Sequence, residues 1–222
     1  GSFFKGFYED KEKSFFDLNQ KKSSGFMFEY NFHSYDSDIS LQTGLLEEQS
    51  ALLGSLLNGG YGSLRQSKTI FSGFSSSLNL HKFDFLSSFF LGETKSDLTN
   101  LGLIKDLSKF TSSSFKVGIK KNNFFLQDDS LSIHITQPLR IEKGVASFSI
   151  PIGRTKLKKI ILDEFDANVS PSGRELNFEL VHKAPLIYGY LFTRFGLVKD
   201  EGHINRDKLE PFFETYWEVK IF

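Results

Sequence analysis

The chain has 222 residues, and 27 Lys plus Arg are balanced by 27 Asp plus Glu, so its formal net charge is zero. This balance gives no electrostatic reason to expect a nucleic acid as a partner. Cys is absent, which excludes disulfides and thiolate metal sites, and no apolar run reaches the roughly 18 residues that a transmembrane helix needs.

The first half of the chain alternates apolar and polar residues with a period of two. In segment 26–33 the even positions are Phe or Tyr, and the odd positions are Met, Glu, Asn and His. Segments 38–45 and 70–80 repeat this alternation, with Ser, Gly, Gln and Asn in the polar phase. Successive side chains of a strand point to opposite faces, so each segment is predicted to be a strand with one apolar and one polar face.

The second half continues the pattern in segments 115–120, 130–136, 147–152, 175–180 and 216–221. Clusters of turn residues separate these segments, for example Gln-Asp-Asp at 127–129 and Ser-Pro-Ser-Gly at 170–173. Such clusters end strands and start hairpins, so we expect an all-β meander of about ten to twelve strands.

Two stretches depart from this period. Segment 45–57 spaces its leucines more like one face of a helix, which predicts a short helix near 46–57. A loop that packs a few leucines explains the same spacing equally well. The stretch 96–114 is expected to be a longer loop in which Leu103, Ile104 and Leu107 pack locally.

The biphasic strands predict a closed antiparallel up-and-down transmembrane β-barrel. Almost every strand has two phases, the polar phase is small or charged, and aromatic residues crowd the strand ends, as a wet lumen and interfacial girdles require. We expect one domain over residues 1–222, in which residues 1–20 are a partial first strand or a linker from an upstream passenger domain. The alternative is a soluble all-β module that binds a ligand or a partner, because a half-buried sheet shows the same alternation.

Several blocks of the sequence resemble one known family. Segment 130–154 contains Gln137-Pro-Leu-Arg140 and ends in Pro-Ile-Gly-Arg, and segment 169–176 contains Pro171-Ser-Gly-Arg174. Both are similar to blocks near the end of autotransporter-type subtilisin-like serine peptidases. Weaker similarity covers segments 107–115, 48–62 and 15–19, so the resemblance spans most of the chain.

This resemblance implies an outer-membrane translocator or anchor barrel, located in the bacterial outer membrane. Its expected partners are outer-membrane lipid, an N-terminal passenger domain and the barrel-assembly machinery. The parent protein would then carry a subtilisin-like serine endopeptidase upstream, whereas this chain is not expected to be an enzyme.

Charged and polar residues of the polar phase are candidates to line the lumen. They are Lys116, Lys120, His134, Glu175, Asn177 and Glu179. The two lysines and two glutamates could form a charged ladder across strands, since opposite charges directly across a sheet attract. Arg140, Arg154 and Arg174 stand beside turns in the blocks named above, where we expect turn anchoring or lumen ion pairs.

The residues of the chain do not form a recognisable catalytic, metal or cofactor site. No Gly-Thr-Ser or His-Gly-Thr block accompanies the five histidines, so a Ser/His/Asp triad is not expected. The acidic residues of segment 163–166 lack the Gly-containing spacing of a calcium loop. Gly59, Gly60 and Gly62 are not followed by the Lys-Ser/Thr of a phosphate loop.

Overall fold

A computed structural model of the chain describes residues 2–4, 7–9, 22–56, 63–99 and 102–219. The described residues form β-strands connected by turns, and the prediction of an all-β antiparallel chain is confirmed. One 3-10 turn, Glu201–His203, interrupts the strands. No helix in these ranges is long and apolar enough to span a membrane.

Eleven strands form an antiparallel main sheet. Ten of them follow one another in a single path across the sheet, and the remaining one pairs off this path. The strands of this main sheet are β1 (Ser2–Phe4), β2 (Phe7–Glu9), β3 (Lys22–His33), β4 (Ser37–Gln49), β7 (Ser63–Leu80), β8 (Phe83–Thr99), β10 (Phe110–Asn122), β11 (Ser130–Lys143), β14 (Leu176–Leu186), β15 (Gly189–Lys199) and β16 (Leu209–Val219).

The other strands leave the main sheet. The hairpin of β5 (Ala51–Leu52) and β6 (Ser55–Leu56) follows β4. β9 (Ile104–Leu107), β12 (Val145–Arg154) and β13 (Ile160–Asn168) form a second sheet in the order β13-β12-β9. After β11 the chain leaves the main sheet as the hairpin of β12 and β13. It then returns as β14, which pairs with the first half of β11.

The two ends of the main sheet have different connections. At the short-turn end, residues 34–36, 81–82, 123–129 and 187–188 join successive strands. At the long-connection end, the joining segments contain β5 and β6, β9, the β12–β13 hairpin, or the 3-10 turn. β1 and β2 follow one edge of β3 and run towards the long-connection end, whereas β16 runs away from it.

The described pairings leave the main sheet open, because neither β1 nor β2 pairs with β16 in these ranges. The predicted closure into a barrel is therefore not seen among the described residues. Residues 2–4 and 7–9, within the predicted partial first strand or linker, pair with β3, and residues 10–20 lie outside the described ranges.

The predicted helix near 46–57 is wrong over residues 46–56. β4 continues as a strand to Gln49, and the leucines that follow belong to the β5–β6 hairpin. Leu53 and Gly54 form its two-residue turn with φ of 49° and 82°. Positive φ at both central residues is the conformation that a tight type I′ hairpin requires. Leu57 lies outside the described residues.

The main sheet buries its polar face and exposes its apolar face. We call these the inner face and the outer face. Among the described residues, six hydrophobic residues are fully buried, against fourteen polar or charged ones. In an ordinary water-soluble core the apolar residues are the ones most often buried. In the main sheet the polar face is therefore the more buried of the two.

The small apolar core lies where the long connections meet. Ile104 and Leu107 of β9, Phe110 of β10 and Ala146 of β12 are fully buried together. Leu52 of the β5–β6 hairpin packs against this cluster. This core ties the excursion strands β9 and β12 to β10 of the main sheet.

Aromatic rings cover glycines on neighbouring strands of the inner face. A Cβ on Gly73 would collide with the ring of Phe90, and a Cβ on Gly196 would collide with that of Phe212. The ring pairs with the glycine position in each case. A side chain at either glycine would therefore displace an aromatic ring from the inner face.

Candidate functional site

The predicted lumen residues lie mainly on the inner face of β10, β11 and β14. The sheet register places His134 of β11 opposite Gly118 of β10 and Glu179 of β14. It places Lys116 opposite Thr136. Lys116 is exposed, whereas His134 is only 8% exposed and lies over Gly118.

A charged ladder crosses the last three strands of the sheet. Arg194 of β15 donates to Glu179 of β14 at 3.0 Å and to Glu214 of β16 at 2.7 Å. The register places Arg194 directly opposite Glu214. The ladder holds one cation between two carboxylates, and its Glu179 end is well shielded, with 13% of the side chain exposed.

This ladder differs from the one that the sequence predicted. Glu179 is a member, but its cation is Arg194, which the sequence reasoning missed. Among the described residues, Lys116 and Lys120 form no salt bridge to either predicted glutamate. Arg194 lies in the same phase of β15 as Tyr190 and Phe192. The arginine itself signals a polar phase, but the two aromatic residues in that phase obscured this signal.

Glu175 and Asn177 lie nearer the long-connection end. The carboxylate of Glu175 accepts the backbone N–H of Gly202 at 2.8 Å and the side-chain amide of Asn177 at 3.0 Å. Its own backbone N–H donates to His203 at 2.9 Å. Glu175 therefore fixes the connection between β15 and β16.

The two most specific blocks of the sequence meet in one cluster. Arg140 donates to the carbonyl oxygens of Gly173 at 3.0 Å and Pro171 at 2.9 Å. Arg140 and Arg174 both donate to the same oxygen of Glu142, at 2.6 Å and 2.8 Å. The guanidinium of Arg140 thus holds the turn 171–173 against β11.

Gln137 extends this cluster into the buried part of the inner face. It is fully buried, accepts a hydrogen bond from Arg174, and donates to the carbonyl oxygen of Ser113 at 3.2 Å. Arg154 is separate from the cluster, because it is exposed at the end of β12. Arg140 and Arg174 therefore act at one turn, and Arg154 lies at another.

The inner face is concave across the strands from β3 to β11. One cavity of about 360 Å³ is lined by residues from six consecutive strands of the main sheet, from Asn31 of β3 to His134 of β11. Serines supply much of its wall, including Ser40, Ser75 and Ser88. A cavity bounded by so many strands requires the sheet to curl around its inner face.

The β5–β6 hairpin covers the inner face at the long-connection end. Buried Glu48 of β4 accepts the backbone N–H groups of Leu53 and Gly54, each at 2.9 Å. Fully buried Ser67 of β7 donates to the carbonyl oxygen of Ala51 at 2.8 Å. These contacts hold the hairpin over the polar side of the sheet.

The outer face carries a continuous row of large apolar side chains across seven strands. Each member lies opposite the next in the sheet register, and each is between 37% and 68% exposed. The row is Leu78, Phe85, Ile119, Ile133, Leu180, Phe195 and Phe213.

A second exposed row lies beside the first on the outer face, and we call the two rows, with Ile70, Leu80 and Leu91, the apolar belt. The second row is Tyr30, Leu41, Phe74 and Phe89. Outward hydroxyls within the belt pair with one another, as Ser76 and Ser87 do at 2.8 Å. Thr43 and Ser72 form a similar pair at 3.0 Å.

Charged and aromatic residues flank the belt. Towards the long-connection end the outer face becomes charged, and Lys68 pairs with Glu47 at 2.6 Å while Lys109 pairs with Glu93 at 2.8 Å. The short-turn end carries exposed aromatic side chains, both on the outer face of the strands and in the turns. These are Phe32, Tyr35, Phe83, Phe125, Tyr188 and Trp217.

The turn between β10 and β11 contains a buried carboxylate. Asp129 accepts the backbone N–H groups of Phe124 at 2.6 Å and Phe125 at 3.0 Å, and it contacts the ring nitrogen of His182 at 3.1 Å. Burial alone would raise the pKa of Asp129, but the hydrogen bonds from His182 and the backbone outweigh it and lower the pKa to about 2. Asp129 is therefore a charged anchor for this turn.

In the part of the chain that the structure describes, no three His, Asp or Glu side chains converge in a way that could hold a metal ion. Comparison with protein families, curated proteins and solved structures gives no match for this chain.

Proposed function

We propose that this chain forms a closed transmembrane β-barrel in the bacterial outer membrane. The observation that supports this most directly is the apolar belt, whose large side chains are exposed while serines, threonines and charged groups are buried on the inner face. Contiguous exposed apolar patches of this extent mark a surface that meets another apolar phase. A lipid bilayer is the phase that a belt crossing nine strands would fit.

The dimensions of the belt fit a bilayer. On β7 it runs from Ile70 to Leu80, which is ten residue steps or about 33 Å along the strand. At a strand tilt of about 40°, this becomes a height of about 25 Å, as in outer-membrane barrels. The charged residues at one border and the aromatic residues at the other match the two interfaces of such a band.

The asymmetric ends favour one orientation. Outer-membrane barrels have short periplasmic turns and longer extracellular connections. On this basis the short-turn end faces the periplasm, and the long-connection end faces outwards. The very long strands β7 and β8 then project beyond the bilayer, because a tilted spanning strand needs only about 9–11 residues.

Closure would satisfy the two edges of the sheet. An unpaired backbone group in lipid costs several kcal/mol, so an open edge cannot remain there. β1 with β2 and β16 run in opposite directions, so they could close the sheet with an antiparallel ladder. The concave inner face curls in the direction that such closure requires.

Within this proposal the chain anchors, and translocates, an N-terminal passenger, and it has no enzymatic role of its own. The resemblance to autotransporter-type subtilisin-like peptidases supports a serine endopeptidase passenger in the parent protein. Outer-membrane lipid and the barrel-assembly machinery are the other partners. The polar inner face would hydrate an extended segment of the passenger during export.

The decisive experiment compares the chain in membranes, detergent and plain buffer. We expect the full chain, exported into a Gram-negative host, to fractionate with the outer membrane and to need detergent for extraction. Its mobility in SDS gels should change on boiling, as expected for a detergent-resistant barrel. A monodisperse, folded chain in plain buffer would instead support the soluble all-β binding module and refute the barrel.

A further inference from the structure

We propose that four lysines on the outer face bind the phosphate groups of outer-leaflet glycolipid. This inference rests on the proposed membrane barrel. The lysines are Lys68, Lys95, Lys109 and Lys143, and we call them the lysine row. They lie at the border of the apolar belt towards the long-connection end.

The sheet register places these side chains on the same face as the belt. Lys68 precedes Ile70 by two residues on β7, on the side of the long-connection end, and lies directly opposite Lys95 of β8. Lys109 reaches Glu93 of the same face at 2.8 Å, and Lys143 lies opposite Thr111, which itself lies opposite Glu93. Two residue steps separate Lys68 from Ile70, and four separate Lys95 from Leu91, which is about 7–14 Å along these two strands.

The charges of this region are unbalanced towards the positive. Glu47 and Glu93 pair with Lys68 and Lys109. Lys95 and Lys143 are exposed, and neither forms a salt bridge within the described ranges. Like charges directly opposite one another in a sheet repel, and Glu47 offsets only the charge of Lys68. An external anion beside Lys95 would therefore reduce the remaining repulsion.

The position of the row identifies the anion. Groups just beyond the border of a membrane-embedded apolar belt lie at the depth of lipid headgroups. At the outward-facing end, the headgroups of the outer leaflet are phosphorylated glycolipid, and lysine ammonium groups bind phosphate as compact point charges. The outer face presents leucine and phenylalanine at the depth of the acyl chains and lysine at the depth of the headgroups. It therefore matches both the acyl chains and the phosphates of one such molecule.

The test measures the binding of diphosphorylated lipid A to the full chain folded in detergent, through the rise in melting temperature on titration. The test variant is Lys95→Gln with Lys143→Gln, which leaves both observed salt bridges intact. The matched control is Lys116→Gln, a lysine of the inner face. We expect the double variant to bind lipid A about thirtyfold more weakly, from two surface cations, and the control to bind like the unmodified chain.

Two further arms identify the source of the phosphate. Dephosphorylated lipid A and inorganic phosphate at matched concentration should both leave the melting temperature unchanged. Equal binding by the double variant, or an equal response to inorganic phosphate, would overturn the inference. A chain that shows heat-modifiable mobility and outer-membrane fractionation but no lipid A response refutes the lysine row alone, and leaves the barrel proposal standing.

Discussion

Replacing Phe74 with Arg tests whether the apolar belt meets lipid. Phe74 is 41% exposed and lies in the belt between Leu41 of β4 and Phe89 of β8. An Arg at the bilayer midplane of a barrel costs about 2–4 kcal/mol of folding free energy. On a water-facing surface the same exposed position would tolerate a charge, because most surface substitutions change stability by about 0.5 kcal/mol or less.

Three companion variants separate the charge from other effects. Phe74→Ala removes the ring, whose centroid is 6.4 Å from that of Phe89, without adding a charge. Ser75→Arg places the same side chain one residue later on the inner face, where Ser75 lines the cavity. Ile70→Arg places it at the border of the belt, where the cost should fall to about 0–1 kcal/mol.

The assay is reversible urea unfolding of each variant folded into lipid vesicles. We expect Phe74→Arg to lose about 2–4 kcal/mol relative to Phe74→Ala. Ser75→Arg should lose about 1 kcal/mol or less, because the inner face is polar. Equal losses for Phe74→Arg and Ile70→Arg would refute a depth-dependent apolar phase, and a larger loss for Ser75→Arg would invert the assignment of the two faces.

Three other predictions follow from local contacts. Gly196→Val should cost about 1–3 kcal/mol in the same urea assay because its side chain displaces the ring of Phe212, and the cost should shrink when Phe212→Ala is combined with it. Glu48→Ala should speed amide exchange in residues 51–56 about a hundredfold, because two hydrogen bonds to a charged acceptor are lost at about 1.5 kcal/mol each; unchanged exchange would contradict the hairpin anchor. The pKa of Asp129 is lowered to about 2. The stabilisation from its charged form is therefore fully present above the ordinary pKa of about 3.9 and is lost as the pH falls through about 2. Asp129→Asn should flatten the pH dependence of unfolding between these two values.

The strands and their two faces were predictable from the sequence because alternation is a local property of the chain. In β3 the four even-numbered aromatics from Phe26 to Phe32 are exposed on the outer face, in the phase that the sequence assigned to them. The leucine spacing predicted a helix, but over residues 46–56 the leucines belong to the end of β4 and to the β5–β6 hairpin. The positive φ of Leu53 forms the hairpin turn, which brings leucines close together without a helix. The expected loop at 96–114 is largely strand, since β8 ends only at Thr99 and β10 begins at Phe110.

The partners of the inner-face residues were not predictable, because they depend on the order of strands in space. The β12–β13 excursion returns β14 to β11, which places Glu179 opposite His134 on one side. On its other side β14 pairs with β15, where Arg194 reaches the carboxylate of Glu179. No spacing in the sequence fixes these distances. The contact between Arg140 and the turn at Gly173 spans 33 residues and has the same origin.

The covering of the inner face favours an anchor over an open channel within the proposed function. The β5–β6 hairpin is held over the polar side by Glu48 and Ser67, and both of these side chains are buried. Leu52 of the same hairpin packs into the apolar core that joins β9, β10 and β12 at the long-connection end. A passenger segment crossing this end would have to displace the hairpin and break that core. The folded domain is therefore better suited to holding an exported passenger at the surface than to conducting solutes, and export would precede the docking of the hairpin.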